Sequence, residues 1–399
     1  MIPSRGRPHL AIPGPSVIPD RVLAAMQRPA PSIYDGPLVE MVGGLWPDLR
    51  AVARTEGNVA IYIANGHGMW EAALTNMFSA GDRVLVVATG RFGHGWADVA
   101  RRLGLEVEVL DAGLTAAPDP ARLAERLTAD RDHAIRAVLA VHVDTATTIR
   151  TDIAAIRGAI DAAGHPALLL ADCIASLGCD RFEMDAWGVD AMITASQKGL
   201  MTPPGLGFVF FGARAVAARA SAGLVTPYWD WAPRTRPEAF YQLFGGTAPT
   251  HLLFALREAL TMLVHEEGIE AAWARHARHA RTVWAAVEAW QAAGAMAPNV
   301  ADRAARAHSV TCLSMDPPRA TWLREWLAAH AEVTLGIGLG MAAPDDPAWH
   351  GWFRIGHMGH LNAHMVLGTL GAIEAGLAAL DLPRGEGALK AAAAEIAMP

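Results

Sequence analysis

Between about residues 55 and 212 the chain repeats one pattern: a short, almost unbroken apolar run, then a longer stretch whose apolar residues recur at helical spacing. The runs are 59-VAIYIA-64, 84-VLVVA-88, 105-LEVEV-109, 137-AVLAVH-142, 167-ALLLAD-172, 190-DAMIT-194 and 206-LGFVFF-211. A strand that is apolar on both faces must be covered on both, and connections long enough to hold a helix let neighbouring strands run parallel. Seven runs therefore predict one large α/β unit built on a mostly parallel seven-stranded sheet. Segments such as 68-GMWEAALTNMF-78 and 151-TDIAAIRGAIDAAG-164 supply its helices.

Beyond about residue 250 the pattern changes. The stretches 251-HLLFALREALTMLVHEEG-268 and 270-EAAWARHARHARTVWAAVEAW-290 read as long helices. Short strands are expected around 308-HSVTCLSM-315, 331-AEVTLGIGLG-340 and 351-GWFRIGHMG-359, and another helix near 364–380. The expected division is an N-terminal arm (1–20), a large α/β unit (21–255) and a smaller C-terminal α+β unit (256–399). The stretch 226-TPYWDWAPRTRPEAFYQLFGG-246 reads as a long loop between the two, of a length that is often functional. The Ala-rich tail 387-GALKAAAAEIA-397 is too short and too low in complexity to assign.

Charge and rare residues narrow the chemistry. The chain carries 33 basic against 40 acidic side chains, a formal net charge of −7, so no overall positive field attracts a nucleic-acid backbone and small molecules are the expected partners. Cys173, Cys179 and Cys312 are odd in number and lack metal-ligand spacing, which predicts buried thiols in a reducing compartment. The proline-broken start MIPSRGRPHLAIPGPS is neither a secretory signal nor an anchor, and no run approaches the roughly 20 apolar residues that span a bilayer. A soluble, cytoplasmic protein is expected. The 16 histidines are scattered, and His276 and His279, one helical turn apart among arginines, read as a solvated face, so no metal site is expected.

Three segments carry candidate chemistry. In 63-IANGHGMWEAA-73 a strand enters a Gly-rich turn that opens a helix, where backbone amides beside Gly66 and Gly68 make an anion site; a plain two-glycine turn fits as well. Asp172 ends a strongly apolar run, at the edge where open α/β sheets bind ligands, although a turn cap is also consistent. Burial there requires a cationic or hydrogen-bonding partner. Lys198, one of only two lysines with Lys390, lies in 194-TASQKGLMTPPGLGF-208 between a short strand and a Pro-Pro-Gly turn. A lysine amine suits a Schiff base to an aldehyde cofactor, and an aspartate suits holding a pyridine nitrogen protonated. Phosphate turn, aspartate and lysine together point to pyridoxal 5′-phosphate (PLP).

On these residues, and on 12-IPGPSVIP-19, 66-GHGMWEAALTN-76, 172-DCIASLG-178 and 353-FRIGHMGHLN-362, nearly the whole chain resembles the class V, fold-type I aminotransferases, within them the serine–glyoxylate and alanine–glyoxylate branch. The resemblance implies the PLP-dependent transferase fold, with Lys198 bonded to the cofactor aldehyde and Asp172 at the pyridine nitrogen. Gly66 and His67 then belong to the phosphate and ring environment, and Gln197 faces the phosphate. It also implies that Phe92 stands where alanine–glyoxylate enzymes stack a tryptophan on the ring, a face that phenyl retains. Thr145 matches a residue touching the ring oxygen, Ile174 the apolar residue beneath the ring, and Thr247 the position reaching the phosphate of the neighbouring subunit, hence a homodimer with shared sites. Arg354 is expected to clamp the substrate carboxylate through two parallel hydrogen bonds, with the backbone at Gly14 closing the other side.

The implied reaction is a ping-pong amino transfer from a small L-amino acid, serine or alanine ahead of aspartate, to glyoxylate or a similar 2-oxo acid. The alternatives are a β-eliminating lyase or desulfurase of the same fold and a non-catalytic metabolite-binding protein. Lyase relatives place His before the lysine, where this chain has Gln197, and no cysteine reads as a loop nucleophile. A binder needs no base and carboxylate clamp together. In 33-IYDGPLVEM-41, Tyr34 and Asp35 replace a His-Arg pair of the family and leave the donor open; a dicarboxylate needs a second cation, for which Arg91 and Arg150 are the motif neighbours.

Overall fold

The computed structural model describes residues 6–294 and 296–398. Its twelve strands are β1 His9–Ala11, β2 Asn58–Ala64, β3 Arg83–Ala88, β4 Glu106–Asp111, β5 Ile135–Val141, β6 Leu168–Asp172, β7 Ala191–Ala195, β8 Gly205–Phe211, β9 Ala297–Pro298, β10 Val310–Ser314, β11 Val333–Ile337 and β12 Trp352–Gly356. Seven of them form one sheet in the order β2-β8-β7-β6-β5-β3-β4. The pairs β3–β4, β3–β5, β5–β6 and β6–β7 are parallel, and β8 alone runs against its neighbours β2 and β7. All seven expected runs are strands, and the mostly parallel sheet is as expected.

The apolar character of these strands is used on both faces. Val138, Ala140, Leu169 and Ala171 face one core with the helices Leu45–Ala53 and Ile153–Ala162, while Ala137, Leu139, Val141 and Leu170 face another with Gly66–Met77 and Arg91–Arg102. Each fully buried Val, Leu or Ile contributes about 1.5–3 kcal/mol, which is why the strand interiors leave no room for polar residues. Polar residues stand at the strand ends: Asn58, Arg83 and Arg136 at the amino ends of β2, β3 and β5, and Asp172 and Thr194 at the carboxyl ends of β6 and β7.

The second sheet has the order β1-β11-β12-β10-β9, with β1 parallel to β11 and the other pairs antiparallel. The N-terminal strand thus belongs to a sheet otherwise built from residues 297–356. The helices Ile269–Gln291, Arg319–His330 and Ala363–Ala379 share its core, along with Ala388–Ile396, where the Ala-rich tail that sequence left unassigned forms a helix. The expected helix after residue 250 is α-helical over Thr250–Leu260 and widens to π over Thr261–Glu267. Among the described residues no helix is long and apolar enough to cross a membrane.

Two expectations need correction. The 226–246 stretch is not an open loop: it holds the helix Ala232–Thr235 and a 3-10 turn Phe240–Phe244, and it packs on the first sheet. Trp231 stacks on Phe211 at 4.0 Å, and the fully buried Arg234 lies 4.1 Å over the Tyr62 ring while donating to Ile61 O and Tyr228 O. His276 and His279 are not on a solvated face but 1% and 3% exposed, because the helix Ile269–Gln291 is covered on more than one side. The His276 ring donates from Nδ1 to Ala272 O and accepts at Nε2 from Gly359 N–H, a pattern that only the neutral ring satisfies.

Burial holds His276 well below the usual histidine pKa and pushes His279 down to about 4, His142 to about 3 and His357 to about 3. A group whose folded pKa is depressed contributes its full stability above its unfolded pKa, near 6.5, and loses it as pH falls toward the folded value, because only the unfolded chain takes up the proton. The thermal unfolding midpoint is therefore expected to drop steadily from pH 7 to pH 5. A midpoint flat across that interval contradicts neutral burial of these rings.

Candidate active site

Asp172 closes β6 and is 3% exposed. Its Oδ1 accepts from Ile174 N–H at 2.8 Å and its Oδ2 from Trp70 Nε1–H at 2.8 Å, and no described side chain forms an ion pair with it. Burial is the largest influence and pushes this carboxyl up to about 6; the two donors and Lys198 oppose the rise, and nearby Asp144 adds to it. Asp172 is thus both the turn cap and the buried acid that the sequence left as alternatives.

Lys198 follows β7 in the turn before β8. Its Nζ donates to Pro13 O, so the N-terminal segment that leaves β1 crosses directly over the amine. The same segment is fixed by Ser16 N–H to Gln197 O at 2.9 Å and by Ser16 Oγ to Lys198 O at 2.8 Å. Gly14, at φ +108°, has its missing Cβ within 2.6 Å of the Lys198 Nζ, Cε and Cδ atoms, so a side chain there collides with the amine. Burial, and then repulsion from Arg354, lowers the Lys198 pKa to about 8, against the pull of Asp172 and Cys179.

Arg354 comes from β12 in the second sheet and is 5% exposed rather than on the surface. Its Nη1 donates to Thr145 O at 2.7 Å and its Nε to Ile337 O at 2.7 Å, leaving Nη2 without a protein acceptor among the described residues. Burial lowers its pKa to about 10, so it remains a cation at neutral pH.

The strand ends that carry Asp172 and Lys198, with the N-terminal segment, enclose a cavity of about 280 Å³, and Arg354 is not one of its lining residues but lies behind Thr145, to whose carbonyl it donates. The cavity brings together Gly14, Gly66, His67, Phe92 and Thr145 with Asp172, Ile174, Gln197 and Lys198. The Gly66 backbone lies against the Ile174 side chain, leaving no space for a Cβ. Gln197 Oε1 is buried with no hydrogen-bond donor among the described residues. The His67 pKa is lowered by burial and by Arg91. Gly68 lies outside the cavity against Ala64 and Trp229, and Thr247 is exposed away from it. The helix Gly66–Met77 does begin at the expected turn, but Asn65 Oδ1 already accepts from His67 N–H at 3.1 Å and Gly68 N–H at 3.4 Å.

Sequence reasoning did not single out Trp70, Asn65, Pro13 or Asp144. Trp70 lies three residues after His67 on the same helical face, a spacing that was there to be read. Asp144 is buried just beyond β5 and accepts from Phe92 N–H, Gly93 N–H and Ala146 N–H, tying the Thr145 turn to the helix Arg91–Arg102. No local pattern marks that contact, which spans about fifty residues. Among the described residues no group of three or more His, Cys, Asp and Glu is placed to hold a metal ion.

Residues 60–341 match the model of the family described as aminotransferase class-V. The chain is 37% identical over 381 residues to a serine–glyoxylate aminotransferase of Methylorubrum extorquens, covering 93% of this chain and 91% of that protein. It is 36% identical over 396 residues to an L-aspartate–glyoxylate aminotransferase of Paracoccus denitrificans, covering 96% and 94%. In three dimensions it is similar to the pyridoxamine–pyruvate aminotransferase of Mesorhizobium loti, with a TM-score of 0.88 at 25% identity over 99% of this chain and 98% of that one. A buried acid and a buried lysine at adjacent strand ends, and a match of this extent, together make the chain a member of the class V aminotransferase family, with the fold of the PLP-dependent type I enzymes.

Proposed function

We propose that the protein is a PLP-dependent aminotransferase that moves the amino group of a small L-amino acid to glyoxylate or a similar 2-oxo acid by a ping-pong mechanism. The observation that carries this reading is the single cavity holding Asp172, a buried carboxylate with no cation of its own, and Lys198, a buried amine with its pKa lowered to about 8. The names of the relatives, serine–glyoxylate and L-aspartate–glyoxylate aminotransferase, favour glyoxylate as acceptor and serine or aspartate as donor, and a solved alanine–glyoxylate aminotransferase of Nostoc, 26% identical, keeps alanine beside them.

The residues fit PLP. Asp172 offers a protonated ring nitrogen the charge partner that it lacks in the protein, and the buried side-chain amide of Gln197, whose oxygen has no donor among the described residues, can turn its NH2 to donate to a phosphate. In this reading Phe92 and Ile174 flank the ring, Thr145 meets the ring oxygen, and Gly66, His67 and Gln197 surround the phosphate, whereas Gly68, outside the cavity, does not reach it. When bound, PLP supplies an aldehyde that captures the donor's amine and a ring that accepts the electrons released at Cα.

Lys198 Nζ takes the Cα proton of the donor and later returns one, and a pKa near 8 leaves an unprotonated fraction able to do so at neutral pH. Arg354 Nη2 and the Gly14 backbone hold the donor's carboxylate, which fixes the Cα–H bond toward Lys198. The N-terminal segment over Lys198 limits water access. A desulfurase is disfavoured because burial pushes the Cys179 and Cys312 thiols up to about 12 and Cys173 well above its usual range.

The same reading includes a homodimer in which Thr247 of the partner subunit reaches the phosphate, since Thr247 is exposed in one chain. It also includes a cytoplasmic location, consistent with three unpaired cysteines, and the division into arm, large unit and small unit at residues 20 and 255.

Addition of L-alanine or L-serine alone to the PLP-loaded protein is expected to bleach the cofactor's visible absorbance with release of one equivalent of 2-oxo acid, and glyoxylate to restore it with formation of glycine. Release of ammonia with no restoration overturns the transfer. Lys198→Ala is expected to lower kcat by more than about 10⁴-fold with the fold intact by circular dichroism. Arg354→Gln is expected to raise KM for both amino and oxo acids about 10- to 100-fold, the worth of a charge-assisted hydrogen bond; unchanged KM values place the carboxylate elsewhere.

A further inference from the structure

We infer that Trp70 is a positioning residue for the proposed reaction: its indole N–H holds Asp172 ionised, so that the proton shared between this acid and the cofactor's ring nitrogen stays on the ring. The inference rests on the proposed aminotransferase reading and adds to it a residue that acts through Asp172.

Trp70 stands one turn into the helix Gly66–Met77, whose first residues are proposed for the phosphate, and it lines the same cavity as Asp172. Both side chains are buried. The Trp70 Nε1–H donates to Asp172 Oδ2 at 2.8 Å, between residues 102 positions apart. Among the described residues the other donor to this carboxylate is the Ile174 amide, which reaches Oδ1 from the acid's own turn. Trp70 is therefore the one side chain that the fold brings in from another element to bond this acid.

The indole is held on several sides. Trp96 stacks on it with ring centres 6.4 Å apart and planes 15° from parallel, while His67 at 4.7 Å and Phe92 at 6.4 Å meet it edge-on. Gly95 leaves room for its far end: a Cβ there would lie 3.2 Å from Trp70 Cη2 and 3.3 Å from Cζ3. Trp96 supplies the comparison. It is fully buried in the same stack, yet its Nε1 has no acceptor among the described residues. Packing in this stack thus does not require an indole N–H to find a partner, and the bond from Trp70 to Asp172 is a feature of its own.

An indole N–H only donates, so it neither takes the proton from the acid nor lends one to it. A hydrogen bond to an ionised acceptor is roughly twice as strong as one between neutral groups, and the Trp70 bond therefore favours the carboxylate over the protonated acid. Burial and the charge of Asp144 act in the opposite sense, and Lys198 acts with Trp70. A protonated ring nitrogen facing Asp172 makes a pair in which the proton resides on whichever partner holds it more tightly. If the acid takes it, the ring loses the charge with which it accepts electrons from Cα. By lowering the acid's hold on the proton, Trp70 keeps that charge on the ring.

The test uses protein loaded with PLP carrying ¹⁵N in the ring, together with Trp70→Phe and Trp70→His. The ring-nitrogen resonance of the unaltered enzyme is expected at the protonated position from pH 6 to pH 9. Trp70→Phe keeps an aromatic ring in the stack and removes the N–H. It is expected to move the resonance toward the unprotonated position and to lower kcat about 10- to 100-fold, with KM within about twofold. Trp70→His, whose imidazole retains an N–H, is expected to recover part of both. A resonance that stays at the protonated position in Trp70→Phe overturns the inference even if kcat falls, because lost packing slows the enzyme without moving the proton. So does an unprotonated ring in the unaltered enzyme. A second measurement leaves Trp70 in place: in protein labelled with ¹⁵N-tryptophan, Asp172→Asn is expected to shift one of the 13 indole N–H resonances upfield, and an unchanged set overturns the contact. In each of these failures the aminotransferase stands as long as amino acids bleach the bound cofactor. Protein that takes up no PLP, or whose PLP spectrum no amino acid changes, refutes the aminotransferase reading itself, and the inference falls with it.

Discussion

Asp172 and Lys198 occupy one buried cavity with opposite charges and form no ion pair with each other. In a medium of low dielectric such groups attract strongly, so keeping them apart needs scaffolding on each side. For Asp172 that scaffolding is the Trp70 indole and the Ile174 amide; for Lys198 it is Pro13 O. Each charge is left poorly satisfied, which is why the acid's pKa rises to about 6 and the amine's falls to about 8. A group that is cationic at one end and amine-reactive at the other relieves both, and the space between them is what the seven-stranded sheet encloses at its carboxyl edge.

The second sheet completes this arrangement. β1 pairs with β11, and the chain then passes so close to Gly356 of β12 that no Cβ fits between them before it reaches Lys198. Arg354 enters from the same β12 and is anchored to Thr145 of the first sheet's edge. Arg354, the proposed carboxylate clamp, and the cover over the amine are thus joined through the second sheet, and a shift of that sheet moves both relative to Asp172. Domain or loop motion at such a site has a direct chemical consequence, because the distance from clamp to base sets the reactive geometry.

The seven strands and the positions of Asp172 and Lys198 were legible because burial on both faces leaves a run that only a covered parallel strand explains, and because a lysine is so rare in this chain. Arg354 was legible only through its resemblance to the family; locally it is an arginine in a strand. The histidines of the helix Ile269–Gln291 misled because His276 and His279 sit among arginines that reach solvent, while their own rings turn toward Gly359 and the interior. The 226–246 stretch misled because its prolines and aromatic residues hide a buried cation, Arg234, whose partners Ile61 O and Tyr228 O are backbone atoms that carry no residue signature. The Asp144 bonds to the Phe92 and Gly93 amides were invisible for the same reason.

In the proposed enzyme Lys198, and not the exposed Lys390, carries the cofactor. Borohydride reduction of the PLP-loaded protein fixes the cofactor covalently to the lysine that holds it, and peptide mass mapping then identifies that lysine. A single pyridoxyl group on the peptide containing Lys198 is expected. Labelling of Lys390 instead, or no stable label at all, contradicts it.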